Sequence, residues 1–308
     1  MSQSNKKDWI PWLIFIILAI IWGSSFILMK RGLEAFSFEQ VAALRLTIAF
    51  ACMLPIGWKY LRTIKKQNLI YMFIVGVFGN GFPAFLFTLA ETEVSSSIVG
   101  VLNATVPIFT LILGVIFFHS KIKSSQIVGV TVGLIGAIWL MFPNGFIIEG
   151  AVNFKYASLV LIATFCYAIS ANTIKRFLQD VPSVKVTTIG LGFAGIPSSI
   201  YLFSTDFTTR IAEHPLGWSS FGYTFLLAFF GTSIGVVLFN ELIKKSSAIF
   251  ASSVTYAIPA IAILWGVLDN EDLLFQQILA VIIIVLGVYL VNKSQKKVKI
   301  VQQNIAKD

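Results

Sequence analysis

Charge is what this sequence has least of. Only 12% of its 308 residues are Asp, Glu, Lys or Arg, where a soluble domain carries about a quarter. With 57% hydrophobic residues, too little polar surface remains to keep the folded chain in water, so lipid is its natural solvent. Cysteine and histidine are also scarce, at two each. Cys52 and Cys166 lie inside apolar runs and read as small buried hydrophobes, which leaves neither a disulfide framework nor a Cys/His metal site. No cofactor is expected. His119 and His214 fall at helix ends or in a loop, and no His-Glu-x-x-His or paired intramembrane Asp occurs. An intramembrane enzyme needs acid–base or metal groups at depth, so that class is set aside. The net charge of +9 comes from short basic clusters between apolar runs. A nucleic-acid binder would gather them on one face, so nucleic acid is not an expected partner.

What is present is a succession of apolar segments. Ten reach the length of about 20 residues needed to cross a bilayer: 12–29, 38–58, 69–90, 95–118, 126–142, 156–174, 184–203, 221–242, 248–268 and 273–291. The expected fold is an all-α integral membrane protein of ten transmembrane helices. The first run is too long for the apolar core of a cleaved signal and reads as a retained helix. With the N-terminus inside, the inner connections and tail hold 18 of the 23 Lys and Arg residues. The outer ones hold Lys30, Arg31, Lys155 and Arg210, and Arg45 lies within the second span. Acids such as Glu91, Glu93, Asp206 and Glu271 fall outside. The positive-inside rule therefore places both termini in the cytoplasm.

The sequence also repeats itself. A shift of 152 residues lays Phe78-Gly79 on Phe230-Gly231, Phe87 on Phe239, Ser95 on Ser247 and Pro107 on Pro259. A shift of 145 lays Trp22 on Tyr167, Ser25 on Ser170 and Lys30-Arg31 on Lys175-Arg176, and one of 151 lays Gln126 on Gln277 and Gly136 on Gly287. Two halves follow, 10–142 and 154–292, with a polar cytoplasmic tail over 293–308. Five spans per half is an odd number, so the second half must cross in the opposite sense. Inverted repeats of this kind let a site near the bilayer midplane open alternately to either side. They fit transport better than a channel, which needs rings of charge or carbonyls. One chain holds both halves, so a monomer can suffice.

The chain resembles the drug/metabolite transporter superfamily, in particular its EamA-type ten-helix exporters, over roughly residues 10 to 292. The resemblance rests on Ala19-Ile20-Ile21-Trp22-Gly23-Ser24-Ser25-Phe26 in the first helix, Arg45-Leu46 in the second, and the mid-helix prolines Pro107 and Pro259 in the fourth and ninth. It implies a metabolite exporter of the plasma (inner) membrane. The family often closes its fourth and ninth helices with a glutamate. Glu271 matches, but His119 stands at the other position, which speaks against a symmetric acidic pair.

Several residues are candidates for a solute site. Trp22 and Tyr167 occupy equivalent positions in the leading helices and can stack on a solute or serve packing. Asn80, beside Gly79, Gly81 and Pro83, and Asn103, one turn before Pro107, are amides in hydrocarbon. Such groups line cavities or bond between helices. Ser25, Phe78, Phe230 and Tyr256 complete the expected wall, with Thr105 and Thr255 as a polar rim. Asn172 and Asn240 lie near helix ends and are weaker candidates. Pro83, Pro107 and Pro259 are expected kinks or gates. Arg45, Glu91 and Glu271 are candidates for charge coupling, and Arg45 can equally bind a solute carboxylate, lock the bundle or snorkel. Glycines 129, 133 and 136 on the fifth helix, and 231 and 235 on the eighth, read as packing faces. The first and sixth spans contain no Asp or Glu, so a buried counter-ion for a cationic drug is missing there. Small neutral or zwitterionic metabolites such as amino acids are the expected solutes, with lipid as the surroundings. The alternatives are a nucleotide-sugar or sugar-phosphate exchanger, which would want several cations in its cavity, and a proton-coupled drug exporter.

Overall fold

The computed structural model describes residues 9–94, 96–142, 153–268 and 274–305. Among these, nine helices are long and apolar enough to span a bilayer, and a shorter apolar helix joins them. We number them α1 (Ile10–Gly32), α2 (Phe38–Leu61), α3 (Lys66–Ala90), α4 (Ile98–Ile116), α5 (Ser124–Met141), α6 (Phe154–Phe177), α7 (Ser183–Phe203), α8 (Gly217–Lys245), α9 (Ala248–Ile261) and α10 (Phe275–Ile305). The fold is an all-α integral membrane protein of ten helices. The helix α10 continues to Ile305, into the polar stretch that begins at residue 293. Large apolar side chains such as Ile16, Ile27, Ile200, Phe203 and Leu286 are exposed around the bundle, as a lipid-facing belt requires.

Local sequence explains the starts and the irregularities. Pro11 sits in the first turn of α1 and Pro182 precedes α7, where a missing N–H costs no helical bond. Ser37 and Gln40 close a capping box on α2, and Gln40 also donates to Thr205 and Asp206, tying α2 to the far end of α7. α1 breaks at Ser24, α4 at Ala104–Thr105 and α9 at Ser253. Two helices carry π turns, at Val77–Gly81 in α3 and Leu227–Ile234 in α8. These segments overlap under the 152-residue shift, so the distortion is repeated along with the sequence. π turns are rare and concentrate at functional sites.

The packing shows how the halves are related. Gly129 lies against Val291, Gly133 against Gly287 and Gly136 against Ile284, so numbers rise along α5 as they fall along α10. Thr47 meets Ser199 at 3.1 Å, Phe50 meets Gly195 and Gly57 meets Thr188, so α2 and α7 also run antiparallel. Helices equivalent in sequence thus pair in opposite senses, which is the geometry of an inverted repeat. The remaining contacts follow the same rule. α1 packs on α8 and α9, and α6 packs on α3 and α4.

The α5–α10 contact depends on glycine. A Cβ at Gly133 or Gly287 would press on the partner backbone or on Tyr256, so close approach excludes any larger residue. On α8 the glycines do something else. Gly235 and Gly231 make room for Trp22 and Ser25 of α1.

Candidate functional site

The two leading helices, α1 and α6, face each other across a cavity of about 110 Å³. A single water needs roughly 10–15 Å³ by the same measure, so the space suits a small molecule. Its wall is drawn from α1, α2, α3, α4, α6, α8 and α9.

The wall repeats the internal symmetry side chain by side chain. Trp22 packs on Phe239 with ring centroids 5.2 Å apart. Their equivalents, Tyr167 and Phe87, lie 5.8 Å apart. Gly231 leaves space beside Ser25, and Gly79 leaves space beside Ser170, again an equivalent pair. Each half therefore contributes an aromatic pair and a glycine–serine contact to the same cavity. The symmetry is not complete: Trp22 donates from Nε1 to the Gly231 carbonyl at 2.9 Å, inside the π segment, and Arg45 of α2 has no counterpart from α7 on the wall.

Most polar groups on the wall have partners within the protein. Ser25 donates to Ile21 at 2.8 Å and Asn240 to Thr187 at 2.9 Å. Asn80 reaches the Val75 carbonyl at 3.4 Å. Thr105, off the wall, donates to Thr164 at 3.2 Å. Arg45, the one charged side chain on the described wall, donates from Nε to Thr232 at 2.6 Å. Tyr167 and Glu91 are the ionisable groups whose fields reach it. The Oδ1 of Asn103 is buried with no hydrogen bond among the described residues.

Of the sequence candidates, Trp22, Ser25, Asn80, Asn103, Tyr167 and Arg45 come together on the wall, as do Thr255 and the weaker candidate Asn240. Three expected wall residues do not. Tyr256 is fully buried and donates to the Val130 carbonyl at 2.9 Å, so it joins α9 to α5. Phe78 packs edge-on against Phe82 and Phe230 against Phe229, both off the wall, while the glycine that follows each lines it. Asn172 bonds α6 to the Thr110 carbonyl of α4 at 2.9 Å. Pro107 opens the second part of α4 just after its break, Pro83 opens the helical segment after the π turn of α3, and Pro259 lies within α9. Glu91 sits on the turn after α3, off the wall, with both carboxylate oxygens buried and unbonded among the described residues. Glu271 lies outside the described residues.

Ser170, Thr232, Phe87 and Phe239 also line the cavity, although none of them stands out in the sequence as a site residue. The signal was available in the repeat, which paired Ser25 with Ser170 and Phe87 with Phe239.

A bundle of inverted five-helix repeats around a small central cavity is the architecture of a membrane transporter. The chain belongs to the EamA-like transporter family, which matches it twice, over residues 9–142 and 154–293. It is 31% identical to the uncharacterized inner membrane transporter YedA of Escherichia coli strain K12 over 89% of this chain and 88% of that protein. It is 22% identical to a probable amino-acid metabolite efflux pump of Salmonella typhimurium over 89% of this chain and 92% of that one. A solved crystal structure at 17% identity superposes with a TM-score of 0.71, covering 93% of this chain and 97% of the other, and so shares the fold. The protein is a membrane transporter of this family and not an enzyme.

Proposed function

We propose that the protein exports small neutral or zwitterionic metabolites, amino acids among them, from the cytoplasm by alternating access at this cavity, with both termini on the cytoplasmic side of the inner membrane. The observation that carries the reading is the paired wall: Trp22 with Phe239 and Tyr167 with Phe87, one pair from each half. Exchanging the conformations of the two halves exchanges the roles of these pairs, which is what opening to alternate sides requires. Arg45 as sole charged residue of the described wall speaks for solutes with little net charge and against nucleotide sugars or sugar phosphates. The relative named as a probable amino-acid metabolite efflux pump supports the same class.

The test is flux in proteoliposomes loaded with a radiolabelled metabolite extract. Wild-type protein should exchange amino acids, and Trp22→Ala and Asn80→Ala should each lower the rate at least tenfold with normal expression. Unchanged flux in both variants would remove the cavity from the transport path.

A further inference from the structure

One pair of equivalent lysines in the repeat stands in two different states. Lys30-Arg31, at the end of α1, correspond to Lys175-Arg176, at the end of α6. Because the halves are inverted, the two pairs lie at opposite faces of the bundle. Lys175 is engaged: its Nζ donates to the Ile243 carbonyl at 3.2 Å and to the Ser246 carbonyl at 2.6 Å. These carbonyls belong to the corner where α8 ends and the chain turns into α9, a place where a helix leaves acceptors over and favours a cation. The bond pins α6 to that corner, and α6 packs on the end of α8 and the start of α9. Under the 152-residue shift Ile243 and Ser246 map onto Glu91 and Val94, at the corner between α3 and α4. The counterpart bond is missing there. Lys30 is exposed, its neighbour Arg31 is held by Glu34 at 2.6 Å, and both carboxylate oxygens of Glu91 are buried with no hydrogen bond among the described residues. The charge of Lys30 nevertheless reaches that carboxyl. Among the described residues the last turns of α1 also pack less closely on this corner than α6 does on the other.

We propose that Lys30 is the second latch of the transport cycle. When the cavity opens towards the face where α6 ends, the end of α1 swings in and the Lys30 ammonium closes on the α3–α4 corner, at the Glu91 carboxyl and the Val94 carbonyl, as Lys175 closes the α8–α9 corner in this structure. This rests on the reading of the protein as an alternating-access transporter. With the orientation proposed above, the Lys175 latch is cytoplasmic, the Lys30 latch is outer, and this structure is the outward-facing state. Opening one face breaks one latch and makes the other, so a charge-assisted bond lost at one end is offset at the opposite end. A carboxyl at position 91, where the second half has Ile243, gives the Lys30 latch an acceptor that the Lys175 latch lacks. It also accounts for a buried carboxyl without a donor, which costs free energy in the state that does not use it.

The experiment reads which face is open. In a background lacking Cys52 and Cys166, Ser25→Cys on the cavity wall is labelled with a membrane-impermeant thiol reagent in right-side-out and in inside-out vesicles. The ratio of outer to inner labelling rates follows the balance of the two states. Lys30→Gln should raise that ratio by roughly 3- to 10-fold, between the effect of an exposed ion pair and that of a full charge-assisted bond. Lys175→Gln should lower it by a similar factor, and Lys30→Arg should leave it near wild type. Glu91→Gln should raise it as Lys30→Gln does, and the double variant should go little further than either single one, since both remove the same bond. Lys30 is exposed, so its variants are expected to fold. A ratio that Lys30→Gln leaves unchanged or lowers, or fully additive effects of Lys30→Gln and Glu91→Gln, would overturn the latch, while alternating access stands so long as both vesicle orientations label. If Ser25→Cys is labelled from one face only in every variant, or from neither, the alternating-access reading fails and the latch falls with it.

Discussion

Single residues carry the sharpest consequences. Burial lifts the Glu91 carboxyl to about 8, against the opposing pull of Arg45 and then Lys30. Its value is higher folded than unfolded, so its share of stability is present below the ordinary glutamate range and lost as pH rises towards 8. Glu91→Gln should therefore be more heat-stable than wild type in detergent at about pH 8 and no different at about pH 4. The same group bears on the cavity. Below about 8 it is neutral and leaves the field of Arg45 intact, and above that its charge offsets the guanidinium. Apparent affinity for a carboxylate-bearing solute should fall between about pH 7 and pH 9 in wild type, and stay flat in Glu91→Gln. Residues also mark where the sequence was a good guide. Trp22, Asn103 and Arg45 were legible because polar or amphipathic groups in hydrocarbon seldom lack a purpose. Tyr256, Phe78 and Phe230 were not, because the face a residue presents depends on helical phase, and the π turns alter that phase without any residue that announces it.

At the scale of elements, the two π turns and the two glycine contacts set the architecture. A π turn holds one residue more than an α turn. Removing one residue from Val77–Gly81 should restore the α pitch and rotate Asn80 and Gly79 away from the cavity. The shortened protein is expected to insert and express, and to lose flux, in a proteoliposome assay. The α5–α10 contact is purely steric. Gly133→Leu would press on Tyr256 and should cost about 1–3 kcal/mol by overpacking, read as a lowered Tm in detergent. The spans themselves were plain in the sequence because bilayer thickness fixes their length. The breaks at Ser24 and Ser253 were not, since no proline stands at either position; at each the serine hydroxyl donates to a backbone carbonyl three or four residues earlier.

For the whole molecule, the inverted repeat organises everything else. It was legible from shifts of 145 to 152 residues, and the same shifts reappear as equivalent contacts on the cavity wall. The helix pairs on the pseudo-axis, α5 with α10 and α2 with α7, join each helix to its own counterpart, whereas α1 and α6 face partners across the cavity. In a background lacking Cys52 and Cys166, a cysteine pair at Thr47 and Ser199, whose hydroxyls lie 3.1 Å apart, should cross-link without stopping flux. A pair at Ser25 and Gly231 should cross-link and stop it. Inhibition by the first pair and not the second would place the moving seam elsewhere.

One departure from symmetry has an energetic meaning of its own. α1 is interrupted at Ser24, while its counterpart α6 runs unbroken from Phe154 to Phe177. Two identical halves would make the inward-open and outward-open forms two-fold-related copies of equal free energy, each half-populated at rest. A hinge in one half alone lifts that degeneracy. The empty protein should dwell on one side of the membrane more than the other, and a solute arriving from the favoured side would find its doorway already open.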